Sequence, residues 1–509
     1  MRAPTVLASI LTTIALVASA AAATAPEPLL WFRTGHLTPQ AAQVLDALHR
    51  ADAFGLEPAD YELDAPPGDE RGQSEFDAAL SQATARFVRD LHSGRIDPRS
   101  VGFHLPAATA RDLDIASAVR ELATSPDVAA TLDTLEPRPI PYWRLKGALA
   151  KYRRLVRDIP SVQLPPLPSH SVGAGSEYSG APQLRHFLRA VGDLDVDDSS
   201  ADVDSLSMDA SLVAAIRHFQ RRHGIDDDGV IGRQTFASLT TPLTRRIEQI
   251  ELSMERWRWL SAIERPNIVV NIPQFRLIAL PREQHALEEP LEMRAIVGQT
   301  ATRTRTPVFT SAITQVVFQP YWDVPSGILH REILPHLRAN PSLLDRYEME
   351  IVQGEGDDAR VVSGTRDAIE RLAVGKLRLR QRPGALNALG PVKFVMPNPY
   401  SVYLHATPER ALFERSQRTF SHGCIRVSEP AALAEYVLRN AAGTWDAQAI
   451  DAAMCGKETL RIQLLEPVRV VVFYSTAMAT KSEGILFFDD VYGLDRKLQE
   501  ALDARRTQQ

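Results

Sequence analysis

Cysteine is almost absent from this chain, with two in 509 residues, Cys424 and Cys455. A disulfide framework is therefore excluded, and at most one bridge is open to the fold. There is no C-x2-C pair and no H-E-x-x-H, so the common zinc signatures are missing as well. A marked excess of either sign of charge is missing. The formal net charge is −6, spread without long runs, which gives no electrostatic reason to expect nucleic acid or an anionic membrane as partner. Beyond the first residues no apolar run is long enough to span a bilayer. What remains is ordinary: 44% hydrophobic and 24% charged residues mark a globular protein, and the length predicts two to four domains rather than one core.

The start is the exception. Arg2 precedes the apolar stretch "VLASILTTIALV", and small residues follow with an A-x-A pattern at Ala18-Ser19-Ala20. Residues 1–23 read as a signal peptide, with an uncleaved anchor as the alternative, so export to the periplasm or cell envelope is expected. Residues 26–160 read as a helical scaffold domain. Thr38 is a cap with Pro39 in the first turn, "EFDAALSQATARFVRDLHSGRIDP" is a helix ending near Gly94, and a third helix carries Tyr142, Leu145, Leu149 and Tyr152 on one face. Residues 161–175 are rich in Pro, Ser and Gly and form a linker.

Residues 176–242 form a compact helical unit, followed by an amphipathic helix in "PLTRRIEQIELSMERWRWL". From Asn267 the period changes from helical to alternating, and "NIVVNIPQFRLIAL", "LEMRAIVG" and "SAITQVVFQP" predict a β-rich domain over residues 266–466. An insertion at about 326–389 is expected to be irregular and partly helical, without a strand ladder, the usual make-up of a lid. Residues 467–509 predict a hairpin and a terminal helix. The fold class is multidomain α+β.

One of the two cysteines sits in "RTFSHGCIRVSEP", beside a histidine and a glycine. Only a thiolate attacks effectively, and a free thiol has pKa ~8.5, so a cysteine nucleophile needs a base or a positive field. His422, His405 and Arg426 are the candidates. In an extended segment His422 would share a side with Cys424, while His405 ends the preceding strand "SVYLH", with Tyr403 on the same face. Spacing alone leaves the choice between the histidines open. Gly423 lacks a Cβ, so a ligand can approach the backbone, and the amides of Gly423 and Cys424 are candidates to hold an oxyanion. Ser428 is the expected cap of the helix that follows. Two other readings stand beside the nucleophile: a Cys424–Cys455 disulfide, and a metal site built from His405, His422 and Cys424.

The stretch "H…SHGCIRV" resembles the signature of the L,D-transpeptidases, cysteine enzymes that cross-link bacterial peptidoglycan, with Arg426 where the family often has Asn. "NIPQFRLIAL", "IVGQTATRTRTPVF", "QPYWDVPSGILHREILP", "NALGPVKFVMPNPYSVYLHATP" and "VYGLD" resemble its larger, multidomain branch. "FQRRHGIDDDGVIGRQTFASL" resembles the three-helix peptidoglycan-binding module of cell-wall enzymes. The resemblance implies a helical N-terminal scaffold, that small module, and a β-rich catalytic domain with an inserted capping subdomain.

It also implies Cys424 as nucleophile and His405 as general base, with His422 orienting the loop and Ser421 and Gly423 supporting it. Tyr403 either polarises a carbonyl or is a strand aromatic. Arg426 either holds a substrate carboxylate or pairs structurally, and Trp322 either lines the cleft or is core. The implied reaction cleaves the terminal D-alanine from a tetrapeptide stem through a thioester and passes the acyl group to another stem, forming a 3-3 cross-link. A hydrolytic carboxypeptidase or amidase using the same pair is the alternative. The resemblance further implies peptidoglycan as donor and acceptor, carbapenem-type β-lactams as covalent inhibitors, association with other cell-wall enzymes, and neither a cofactor nor a metal.

Overall fold

Thr38 accepts a hydrogen bond from the Ala41 amide and Pro39 occupies the first turn, so helix α1 (Pro39–His49) begins where the capping residues set it. Asp69 caps α2 (Glu70–Ser93), which stops at Gly94. With the hairpin β1 (Phe32–Arg33) and β2 (His36–Leu37) and helices α3 (Ile115–Thr124) and α4 (Val128–Leu135), they enclose a core of their own around Trp31, Leu80, Phe87 and Leu122. The computed structural model describes residues 28–507 except 67, 107–112, 160–161, 196–203, 262, 282–288, 302–303 and 440. The segment read as a signal peptide lies outside the described residues. Among the described residues no helix is long and apolar enough to cross a membrane.

The rest of the helical stretch belongs to a second, larger core. Strand β3 (Phe103–His104) joins the main sheet, and α5 (Ile140–Asp158) turns Tyr142, Leu145, Leu149 and Tyr152 inward, the face its spacing predicts. That face meets α9 (Leu243–Arg258), amphipathic in its first half and a buried strut from Leu252 onward. Glu255, Arg256 and Arg258 are all fully buried. Glu255 binds Arg95 at 3.2 Å and Arg258 at 3.2 Å, while Arg256 pairs with Asp495 at 2.5 Å. Charges out of water persist only when paired in this way.

Three short helices, α6 (Ala181–Val191), α7 (Ala210–Arg222) and α8 (Arg233–Leu239), form the small module. Its motif residues build the fold. Gln220 donates to Asp228, Val230 O and Thr235 and accepts from the Gly229 amide, and Gly229 takes the left-handed φ of +75° that the turn requires.

The alternating runs become strands β4 (Ile268–Asn271), β5 (Arg276–Ala279), β6 (Leu291–Gly298) and β7 (Val308–Phe318). With β12 (Val392–Val395), β13 (Leu404–His405), β15 (Ile425–Val427) and β16 (Leu460–Phe473) they run in the order β12-β13-β15-β6-β5-β4-β16-β7. Because β7 also pairs with β12, the sheet closes on itself. Strand β14 (Thr419–Ser421) attaches to the end of β6. Helices α14 (Pro430–Leu438) and α15 (Ala447–Cys455) pack on the outside, and the hairpin β17 (Ala477–Ala479) and β18 (Ile485–Phe487) precedes the terminal helix α16 (Leu494–Arg506). Helix α14 starts at Glu429 without a side-chain cap. Ser428 is engaged instead with β6, its hydroxyl accepting from the Arg294 amide at 3.1 Å.

The insertion departs from the reading of an irregular loop. It holds α10 (Ser326–Ile328), a π-helical turn at Leu329–Ile333, α11 (Leu334–Ala339), α12 (Leu343–Arg346) and α13 (Arg366–Ala373), and it does have a ladder. Strands β9 (Met349–Gln353), β10 (Arg360–Val362) and β11 (Arg378–Gln381) join β8 (Trp322–Asp323) in the antiparallel order β10-β9-β11-β8, over a separate apolar core. Charged residues inside "MEIVQ" and "RLRQ" hid the alternation. Arg380 is buried on Glu350, at 3.0 Å, rather than exposed.

Candidate active site

The parallel pairing of β13 with β15 sets the geometry. Leu404 is opposite Ile425 and His405 opposite Arg426, with Leu404 and Ile425 buried on the core side. Side chains in register share a face, so His405 and Arg426 point away from that core, and one step back along each strand Tyr403 and Cys424 do the same. The rings of Tyr403 and His405 lie edge to face at 5.5 Å, which fixes them on one side. Lys393 stands opposite His405 in the antiparallel β12–β13 pair and joins the same face.

Cys424 is half-buried, and its sulfur lies 3.7 Å from the Ser401 carbonyl. Burial pushes the thiol above its ordinary value, while hydrogen bonds from Tyr403 and the positive charges of Lys393 and Arg426 draw it partly back. The Tyr403 phenol is held well above its usual range, first by burial and then by the sulfur it touches, and it also bonds Trp322. His405 is only 4% exposed. Burial, then Arg426 and Lys393, depress it to about 3, so the imidazole is neutral. Its Nδ1 lies 2.6 Å from the Ala406 carbonyl, and the Leu389 carbonyl also bonds the ring. Among the described residues no hydrogen bond joins His405 directly to Cys424, and the Tyr403 ring lies beside both.

The motif turn is built by its neighbours. Gly423 takes φ +116°, in the range that favours glycine, so the segment is not extended and His422 does not share a side with Cys424 by strand alternation. Ser421 donates to the Cys424 carbonyl and accepts from the Gly423 amide at 3.1 Å. The Gly423 amide, one of the two expected to hold an oxyanion, is therefore engaged. Thr306 donates to the Gly423 carbonyl at 2.9 Å, and the Tyr492 hydroxyl, 2.6 Å from Gly298 O, receives the Thr306 amide. The C-terminal segment thus props the turn that carries the thiol.

His422 reaches outward, its Nε2 2.8 Å from Glu332 in the π-helical turn of the insertion. Arg426 pairs with Glu409, its structural alternative. Trp322 sits on β8, where the insertion's sheet meets the barrel, half-buried beside Tyr403. Both cysteines are free, and Cys455 is exposed at the end of α15. No cluster of three or more metal-binding side chains occurs among the described residues.

Two residues of this site escaped the sequence reading. Glu332 carried no signal. Lys393 did, as a lone cation inside the apolar run "VKFVM": its ammonium lies 4.0 Å from the centre of the Tyr403 ring, and burial lowers its pKa.

Three family models match the chain. Residues 265–454 match the L,D-transpeptidase catalytic domain, 24–149 the Scaffold domain, and 179–239 a model described as "Putative peptidoglycan binding domain". A curated protein of Haemophilus influenzae named "Putative L,D-transpeptidase" is 30% identical over 274 residues, 53% of each chain, so the match spans about half the length of that relative. A crystal structure of the L,D-transpeptidase (residues 123–326) from Xylanimonas cellulosilytica matches at 15% identity, covering 61% of this chain and 100% of that one, with a TM-score of 0.18.

Proposed function

We infer, for a multidomain chain whose residues 265–454 match the L,D-transpeptidase catalytic domain, an acyl transfer on peptidoglycan stems with Cys424 as nucleophile. The observation that carries this reading is the shared face of Cys424, Tyr403, His405 and Lys393, beside a turn tied to the insertion. As a donor tetrapeptide binds, the Cys424 proton leaves for His405, past Tyr403, and the sulfur attacks the carbonyl carbon between the third residue and D-alanine. The amide of Cys424 steadies the negative oxygen. The C–N bond breaks, the departing amine takes the proton from His405, and a thioester remains. The amine of a second stem attacks that thioester and loses a proton, and the thiol is restored with a 3-3 cross-link formed.

With the thiol raised and His405 lowered, the resting pair is neutral, so ionisation accompanies substrate binding rather than preceding it. Lys393 favours the thiolate once it forms. We place the reaction in the periplasm, after export, with the small module binding the same polymer. Carbapenem-type β-lactams would acylate the same sulfur, and association with other cell-wall enzymes fits this setting. Hydrolysis differs only in that water takes the acyl group.

The test is intact-mass analysis of the full chain with a disaccharide-tetrapeptide. A thioester adduct on the parent, none on Cys424→Ala, and dimeric product support transfer. Tripeptide alone means hydrolysis, and adduct or product from Cys424→Ala would overturn the assignment.

A further inference from the structure

A polar cleft of about 420 Å3 lies between the small module and the barrel, away from Cys424. The module contributes His223 and Asp226, the β4–β5 connection Phe275, β6 Arg294, and the segment entering β14 Arg415 and Arg418. One wall is the His223–Asp227 segment that follows α7, and the other is the segment that leads into β14.

Arg418 is the unusual member. Its guanidinium donates to the Arg415 carbonyl at 2.5 Å and the Phe275 carbonyl at 3.3 Å and lies over the Phe275 ring at 5.3 Å, but its buried Nε has no partner. Among the described residues no carboxylate forms an ion pair with it. Arg294, next to it, is paired with Glu414, and Asp227 with Arg221. Burial and the charges of Arg294 and Arg276 pull Arg418 down to about 10, with Asp226 and Glu414 acting weakly the other way. Arg418 is thus part-buried and crowded by like charge. Although Asp226, Asp227, Glu414, Glu483 and Asp489 line the same cleft, none forms an ion pair with it, and an anion placed there would make a charge-assisted bond.

Its position says which kind. Arg418 precedes β14 and is six residues from Cys424, so the two lie within about 20 Å along the chain. An extended tetrapeptide spans roughly 13 Å. We propose that this cleft is a second substrate subsite, in which Arg418 binds the carboxylate of a stem peptide while a different stem occupies Cys424. The proposal rests on peptidoglycan being the substrate. It would couple the module to the reaction by fixing a neighbouring stem against the barrel.

The experiment uses the full chain carrying Cys424→Ala, so that nothing turns over, and calorimetric titration with a disaccharide-tetrapeptide and with the same compound amidated at its carboxylates. Loss of a charge-assisted bond should weaken binding of the amidated probe about ten-fold. Adding Arg418→Met should remove most of that preference, and Arg418→Lys should keep part of it. A preference unchanged by Arg418→Met, or none in the Arg418 protein, overturns the proposal. Should Arg418→Met melt well below its parent, the polar Arg418→Gln variant carries the same comparison, and a preference intact there overturns it equally. Failure of the catalytic reading would look different: protein with Cys424 intact would form no thioester, whatever the titrations give.

Discussion

Lys393 stands directly opposite His405 across the β12–β13 pair, and its ammonium lies 4.0 Å from the centre of the ring of Tyr403, which bonds the Cys424 sulfur. A lysine on this face must act on the thiol through charge. It favours the thiolate, whereas burial opposes it and wins, since the net shift is upward. A raised thiol pKa means a small thiolate fraction at neutral pH, rising ten-fold per unit until the pKa is passed. Alkylation of Cys424 by iodoacetamide, followed by mass spectrometry on Cys455→Ser protein, should therefore climb throughout pH 6–9. No separate step from His405 should appear there, because that group titrates near 3. Lys393→Met should slow alkylation at pH 8 roughly ten-fold, the effect of about one unit of added pKa. An unchanged rate would remove Lys393 from the electrostatics of the site.

A second prediction concerns the strut. Glu255 is fully buried between Arg95, which comes from the N-terminal helical region, and Arg258 of its own helix. Removing the carboxylate leaves two guanidinium groups buried without their anion, a loss of about 3–5 kcal/mol. Glu255→Ala should lower the unfolding free energy by that amount in a urea titration. Glu255→Gln, which keeps hydrogen-bond acceptance but not charge, should still lose most of it. A change under about 1 kcal/mol would mean that water already reaches the pair.

Much of this architecture was legible because it obeys period. The inward face of α5, the Thr38 cap and strands β4 to β7 follow from spacing and turn residues. So does the shared face of Tyr403 and His405 in "SVYLH", whereas only the β13–β15 pairing brings Cys424 to that face. Where the reading failed, a partner distant in sequence had neutralised a charge. Arg95 and Glu255 are 160 positions apart, Arg256 and Asp495 are 239 apart, and neither helix announces its partner. In the insertion Arg380 and Glu350 broke an alternating pattern that their mutual burial restores. The motif turn failed for a local reason. An extended segment through Gly423 would put His422 beside Cys424, and the left-handed glycine breaks that alternation.

His422 binds the insertion instead. Its contact with Glu332, at 2.8 Å, is a polar link between the π-helical turn and the motif that carries Cys424. Both partners are partly exposed, so the pair adds at most about 1 kcal/mol to stability and its loss should leave the fold intact. On the acyl-transfer reading proposed above, its value would lie in position, holding the insertion near a thioester that water would otherwise reach. Glu332→Ala should therefore leave the rate of thioester formation from disaccharide-tetrapeptide nearly unchanged and shift the products from dimer towards tripeptide. A few-fold change in that ratio is expected, and His422→Ala should produce the same shift. Because the two side chains act through one contact, the double variant should be no more hydrolytic than either single one. If the singles instead slow thioester formation and their effects multiply, the insertion positions the donor stem rather than guarding the intermediate, and the link would belong to the first half of the reaction.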